Sequence, residues 1–378
     1  MLKIALIRQR YASDGGAERF VARAIEALQG EALAITLLSR QWSAGADVRI
    51  EACNPFYVGR WWRDWSFARC VCQHLQTSNY DLVQSHERIS CCDLYRAGDG
   101  VHREWLKQLA RVRGPFNRLG LQFNPYHRYT LRAEHRLFES KQLKAVICNS
   151  RMVRDEILGH FRIAPEKLHV IYSGVDLNLF HPDLQRHRQE IRTQYGIPVD
   201  APLFLFVGSG FERKGVRGLL LALARAPVEA RLLVVGRDKH AAHYADLAET
   251  LGVGRRVHFA GAQADVRPYY GAADALVLPT LYDPFPNVVL EALASGLPVI
   301  TSTKCGAAEI IQEGKNGFVR DALDIDGLAH VLGSLVETGI SVAMREQARK
   351  TVTGFSLDHW RDQMLEIYQK LLPQPGQE

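Results

Sequence analysis

The sequence predicts two doubly wound α/β domains, and three observations carry that expectation. Short apolar runs alternate with amphipathic stretches at helical spacing, and nearly every run ends at a glycine, a turn or a helix start. The chain's 378 residues also exceed what one ordinary core organises. At 47% hydrophobic and 23% charged residues the composition is globular, which excludes disordered and collagen-like classes.

The first half opens with a buried strand, "LKIALI" (2–7), an amphipathic helix, "AERFVARAIEAL" (17–28), and a second strand, "LAITLLS" (33–39). Further strands are expected at "DLVQSH" (81–86), "DLYRAG" (93–98) and "KAVICNS" (144–150), the last followed by a helix capped by Ser150. Alternation of this kind implies parallel strands joined by crossover helices. The second half repeats it with "LFLFVG" (203–208), "RLLVVG" (231–236), "RVHFAG" (256–261), "ALVLPT" (275–280) and "LPVITS" (297–302). The division is therefore expected at 1–175 and 176–357, within a polar, proline-bearing stretch that follows "VIYSG". The amphipathic end, 358–378, either closes the second domain or crosses back to the first.

A net charge of +6 is only mildly basic, so where the charge sits matters more than its total. Seven cysteines (Cys53, Cys70, Cys72, Cys91, Cys92, Cys148, Cys305) lack zinc spacing and read as free buried thiols. No apolar run reaches transmembrane length, and "MLKIALIRQRYASDGGAE" has no signal-peptide pattern, so a cytoplasmic location is expected.

Glycine-rich turns after strands are the first chemical signal. Gly15 and Gly16 lie between strand and helix, where glycine permits close backbone approach and helix amides face an anion; an ordinary turn is the alternative. The dinucleotide pattern G-x-G-x-x-G is absent there, which demotes a dehydrogenase. "FVGSGFERKGV" (206–216) says more: Gly208, Ser209 and Gly210 precede Arg213 and Lys214, two cations at an apparent helix start. Cations there oppose the helix dipole, so something must offset them, and a diphosphate fits. No phosphate-loop G-x-x-x-x-G-K-[ST] accompanies them.

The stretch "LYDPFPNVVLEALASGLPVI" (281–300) places Asp283 in an extended loop set by Pro284, then Pro286, Asn287 and Val288 at a helix start. Glu291 follows among apolar residues, and Gly296 ends the helix. A carboxylate in such company needs a partner, and vicinal sugar hydroxyls are good donors to one.

These residues resemble the E-x7-E motif of the retaining nucleotide-sugar glycosyltransferases called family four, which have the GT-B fold of two Rossmann-like domains facing across a cleft. "GGAERF", "VIYSGVDLNLF", "GSGFERKGV" and "GAAEIIQEGKNGFV" agree with the family in order and spacing. The resemblance implies that Glu291 holds the donor's ribose, that Asp283 contacts the transferred sugar, and that Arg213 and Lys214 bind the diphosphate. Gly15, Gly16 and the amides near Asn287 and Val288 would help, with the base near Gly236 and "HFAG" (258–261). Asp283 stands where the family usually has Glu, and Ser209 where an arginine is common; the latter resembles the lipopolysaccharide core glucosyltransferase I subgroup.

Asp99, between Gly98 and Gly100, occupies the position where that subgroup has an Asp, and it is expected to face the reacting carbon. His86 and His102 read as solvated or hydrogen-bonded loop histidines. The excursion 101–144 carries ten Lys or Arg against three Glu, with aromatics interleaved. Arg103, Trp105, Lys107, Arg111, Arg113 and Arg118 are its candidates for contact with an anionic inner-membrane surface or with acceptor phosphates. No nucleic-acid motif accompanies them.

The expected function is therefore metal-independent transfer of glucose or N-acetylglucosamine from a UDP sugar, with no cofactor, to a lipopolysaccharide core heptose. The enzyme would be peripheral at the cytoplasmic face of the inner membrane. Transfer to another surface polysaccharide or lipid carrier, and a non-catalytic binder of nucleic acid or anionic lipid, are the alternatives.

Overall fold

The structure, a computed structural model, describes residues 2–10, 33–41 and 49–372. The chain divides into two compact units, residues 1–172 with 358–378, and residues 173–357. The helix expected over 17–28 lies outside the described residues.

The first unit holds β1 (Leu2–Ile7), β2 (Leu33–Ser39), β3 (Arg49–Ala52), α1 (Gly59–Thr77), β4 (Leu82–Ser85), β5 (Leu94–Arg96), α2 (His102–Arg111), α3 (Pro115–Phe123), α4 (Pro125–Phe138), β6 (Ala145–Cys148), α5 (Arg151–His160) and β7 (Leu168–Val170). Its strands are all parallel, in the order β3-β2-β1-β4-β5-β6-β7. Both faces are covered, as a parallel sheet requires. Val146 and Cys148 of β6 pack into one layer with Phe67, Val71, Val153 and Ile157. Ala145 and Ile147, one step out of phase, pack into the other with Trp360, Met364, Ile367 and Tyr368. Those four residues belong to the chain's last helix, Leu357–Leu371, so the C-terminus completes the first unit's core.

The second unit holds α6 (Arg188–Gln194), β8 (Leu203–Val207), α7 (Phe211–Lys214), α8 (Val216–Arg225), β9 (Arg231–Val235), α9 (Ala241–Thr250), β10 (Val257–Gly261), α10 (Arg267–Ala272), β11 (Ala275–Leu278), α11 (Asn287–Ala294), β12 (Val299–Ser302), β13 (Gly317–Arg320), α12 (Ile325–Thr338) and α13 (Val342–Thr351), with the terminal helix α14 starting at its boundary. Its parallel sheet runs β10-β9-β8-β11-β12-β13. In both sheets the strand order reverses beside the first strand, and the crevice beyond the carboxyl ends at that switch point is where doubly wound folds bind ligands.

One expectation is corrected. Cys72 and Cys91 are joined in a disulfide across a Cα–Cα distance of 5.8 Å, because the end of α1 packs against the loop that follows β4. Cys53, Cys70, Cys92, Cys148 and Cys305 remain thiols. Arg213 and Lys214 stand immediately before a helix start, as expected: α8 begins at Val216 with left-handed Gly215, φ of 80°, at its N-cap. The same two cations end the one-turn α7, Phe211–Lys214.

Candidate functional site

The second unit's site is built around the carboxyl end of β8. Gly208 has φ of 151°, and a Cβ on it would lie 2.5 Å from Lys214 Cδ, so the lysine stem crosses over the strand end. Gly236, after β9, has φ of 139°, and its Cβ would lie 2.1 Å from the Gly208 carbonyl oxygen. Only glycine lets these two strand ends approach so closely. The turn into α7 is then fixed by Asp238, whose Oδ2 accepts from the Phe211 amide at 2.8 Å.

The loop after β11 closes over this turn. The Leu281 amide donates to the Arg213 carbonyl at 2.8 Å, and the Thr280 hydroxyl donates to the same oxygen at 3.0 Å. Asp283, buried, is thereby set against both cations: its Oδ2 accepts from Arg213 at 2.9 Å and from Lys214 Nζ at 3.1 Å. Its backbone is held on both sides, by Lys304 at 3.0 Å and by Gly306 at 2.8 Å. Burial alone would raise the Asp283 carboxyl, but the adjacent Lys214 and Arg213 charges outweigh it and hold it below the usual carboxylate range. The carboxylate offsets the paired cations.

Pro286 caps α11 with extended backbone and no side-chain cap, so the helix's first amides are not occupied by a capping side chain. Asn287 and Val288 are half-buried at that end. Glu291 lies one turn further in, buried, with Oε2 accepting from the Tyr270 hydroxyl at 2.8 Å. The Tyr270 ring stands edge-on to Phe180, which fixes the phenol. Gly208, Ser209, Gly236, Arg213, Lys214, Asp283 and Glu291 thus all belong to elements that end at one edge of one sheet.

Asp99 belongs to the other unit, in the turn after β5, with its side chain about half exposed at 49%. Arg88 NH1 lies 3.5 Å from Asp99 Oδ2, while Arg88 Nε donates to Glu134 at 2.9 Å and NH2 to the Gly100 carbonyl at 3.2 Å. Glu134, on α4, also accepts from the His102 amide at 2.8 Å. Arg88 therefore ties the Asp99 turn to α2 and α4. His86 is buried against Gln84 at 2.9 Å, and Gln84 accepts from Tyr368 at 2.7 Å. His102 meets His127 at 3.0 Å; burial first, then the Arg88 and His127 charges, push it down to about 3, so it is neutral at ordinary pH.

In the basic excursion Arg103, Lys107, Arg111 and Arg118 are exposed, while Arg113 and Trp105 are half-buried. Lys107 pairs with Glu104 at 2.6 Å. Its described aromatics do not form an exposed row: Phe138 is buried, Tyr126 and Tyr129 are half-buried, and Phe123 is exposed. The side chain of Phe116 and the glycines Gly15 and Gly16 lie outside the described residues. Asp324 caps α12 by accepting from the Gly327 amide at 2.9 Å, and Asp326, two residues on, pairs with Arg225.

Tyr270, Asp238 and the pair Arg88 and Glu134 were not legible as site residues. Asp238 alone had a signal, since it follows the glycine that ends β9 by two residues.

Residues 14–179 match the family described as Glycosyltransferase Family 4, and residues 187–351 match Glycosyl transferases group 1. The lipopolysaccharide glucosyltransferase WaaG of Escherichia coli (strain K12) is 32% identical over 292 residues, 74% of each chain. The lipopolysaccharide core biosynthesis glycosyltransferase LpsE of Rhizobium meliloti (strain 1021) is 35% identical over 47% of this chain and 52% of its own. The crystal structure of a WaaG superposes with a TM-score of 0.84 at 25% identity, covering 97% of this chain and 99% of that one. Anabaena Alr3699/HepE, solved in complex with UDP-glucose, shares the fold at a TM-score of 0.77 and 21% identity over 98% and 100% of the two chains.

Proposed function

The chain belongs to the group 1 and family 4 glycosyltransferases of GT-B fold, and we propose that it moves a hexose, glucose or N-acetylglucosamine, from a UDP sugar to a heptose of the lipopolysaccharide core. The observation that carries the donor half is the buried pairing of Asp283 with Arg213 and Lys214 beside the open end of α11. Two cations held by one carboxylate are preorganised for a diphosphate, which brings charge to a place already shaped to receive it.

In this reading Lys214 and Arg213 stabilise the negative charge that grows on the leaving UDP, with the amides of Asn287 and Val288 adding fixed dipoles. Glu291, oriented by Tyr270, accepts from the ribose hydroxyls. Asp283 keeps both cations in place and presents its carboxylate to the sugar. Transfer proceeds with retention and without a metal ion, because the cations do the work a divalent ion does elsewhere. Asp99, steadied by Arg88, orients the acceptor hydroxyl or stabilises positive charge on the sugar.

The acceptor's phosphates and the anionic inner-membrane surface fall to the cations of α2 and α3, Arg103, Lys107, Arg111, Arg113 and Arg118, with Trp105 beside them. Among the described residues no helix is long and apolar enough to cross a membrane, and the proposed association is peripheral.

Calorimetric titration with UDP, UDP-glucose and UDP-N-acetylglucosamine, in metal-free buffer, tests the donor half. Binding of UDP and one UDP sugar by the wild type, weakened in Glu291→Ala, supports it; no binding of any nucleotide sugar removes it.

A further inference from the structure

An exposed aromatic surface of the first unit lies outside the basic excursion. Phe56 is 77% exposed, Val58 61%, Trp61 44% and Trp65 40%, all within ten residues at the start of α1. Trp61 and Trp65 are four apart and share a helix face. Phe67, by contrast, is buried, and lies roughly 200° around the helix from Trp65. So α1 anchors itself by Phe67 and Val71 and turns its tryptophans outward. Trp62 supports them from below, stacked on Trp61 at 6.4 Å and edge-on to Phe56 at 5.9 Å. The exposed rings are therefore held in place rather than trailing in solvent.

The exposed charges within 55–70 are both basic. Arg60 and Arg69 are exposed, and the Arg69 guanidinium lies over the Trp65 ring at 5.8 Å. Asp64, the one acid within 55–70, is held by Arg63 at 2.8 Å and by Gln9 at 3.2 Å. Aliphatic and indole groups flanked by exposed arginines match the boundary between acyl chains and acidic headgroups. A sugar platform would need hydrogen-bonding groups among the rings, and Phe56, Val58, Trp61 and Trp65 supply only the two indole N–H groups.

We propose that this cluster, Phe56 to Trp65, is the wedge that docks the first unit on an anionic lipid bilayer, with Arg60 and Arg69 reading the headgroups. The proposal deepens the membrane part of the function proposed above, and rests on it, but not on the transfer step. Helix α4 packs beside α1, so the cations of the excursion act as an electrostatic surround and the aromatic wedge supplies the hold.

The test is co-sedimentation of the full chain with phosphatidylcholine vesicles, with and without phosphatidylglycerol, for wild type, Trp61→Ala/Trp65→Ala and Arg111→Ala/Arg118→Ala. Donor titration and circular dichroism are run alongside. The rings removed are exposed, so the double tryptophan variant keeps its fold and its donor affinity. Losing two interfacial indoles should cut the partition coefficient on the order of tenfold or more, and the blue shift of tryptophan fluorescence on anionic vesicles should shrink. Equal partition of the tryptophan variant and wild type overturns the proposal, as does a loss confined to the arginine variant. A dimer that the tryptophan substitutions dissolve would assign the patch to a second copy and also overturn it. A wild type that binds donor but ignores vesicles ends the docking proposal alone; vesicle binding without donor binding ends the transferase reading alone.

Discussion

Replacing Asp283 by asparagine separates the two jobs assigned to that carboxylate. The side chain keeps its size but leaves Lys214, 10% exposed, and Arg213, 39% exposed, without their negative partner. Breaking a fully buried pair in this way costs about 3–5 kcal/mol, and the partial exposure of Arg213 lowers that, because water takes over part of its solvation. A loss of roughly 2–4 kcal/mol is expected for the second unit. For a unit of this size that lowers its calorimetric transition by about 5–12 °C. UDP lacks the transferred hexose that Asp283 would touch, so UDP should bind the variant at least as tightly as wild type and recover much of the lost stability. Transfer from the UDP sugar should fall steeply.

The pH dependence has a definite sign. The Asp283 carboxyl is held below its unfolded value, so its contribution is fully present above the ordinary aspartate value near ~3.9 and is lost as pH falls through the lower folded value. The stability difference between wild type and Asp283→Asn should therefore be constant at neutral pH and shrink below about pH 4. Scanning calorimetry with and without UDP reads both effects. An unchanged transition temperature together with weakened UDP binding would refute the pairing as the device that holds the cations.

Glu291→Gln should weaken UDP binding about 10- to 100-fold in calorimetric titration, since a charged acceptor is lost, while Tyr270→Phe, which removes only the orienting hydrogen bond, should cost a few-fold. Gly236→Ala should abolish a stable second unit, because its Cβ would sit 2.1 Å from a backbone oxygen. Gly261→Ala, at φ of 69° with nothing within 4 Å, should cost only about 1 kcal/mol by chemical denaturation. Cys72→Ser/Cys91→Ser should lose about 3 kcal/mol in non-reducing buffer and nothing relative to wild type under reductant, the bridge spanning 19 residues. Asp99→Asn should lower turnover far more than donor affinity, and unchanged turnover would remove Asp99 from the mechanism.

Much of this was legible because buried parallel strands are short, apolar and punctuated. The runs at 203–208, 231–236, 256–261, 275–280 and 297–302 correspond to β8 to β12 within two residues at each end. β3 and β7 were missed for the opposite reason: they are edge strands of four and three residues, and "RIEA" is largely exposed and half charged. The site strings were visible as turns, but their partners were not. Tyr270 reaches Glu291 from a helix with no periodic signal linking the two, and the Cys72–Cys91 spacing says nothing about which loop packs on which helix. The helix start at Gly215 was legible, but the one-turn α7 before it was not, because a single glycine, backed against the Pro279 carbonyl, separates the two.

The first unit draws part of its core from the far end of the chain. Residues 1–172 supply the sheet, yet Trp360, Met364, Ile367 and Tyr368 fill one of its two apolar layers, against Ile4, Leu82, Leu94, Ala145 and Ile147. Among the described residues α14 is the helix that covers that face, and parallel sheets bury both faces. The contacts join the two ends of the chain, so their loop-closure cost comes late and the second unit is free to form first. The chain also crosses between units twice, and the two crossings meet. The Val175 amide donates to the Phe355 carbonyl at 2.8 Å, and Gly174 lies so near Leu357 that a Cβ would come within 2.9 Å of its Cα. That contact sets where α14 starts, and Tyr368 then reaches Gln84, which holds His86 in the loop that carries Arg88 toward Asp99. The last helix is thus part of how the Asp99 turn is positioned, although it contributes no residue to that turn.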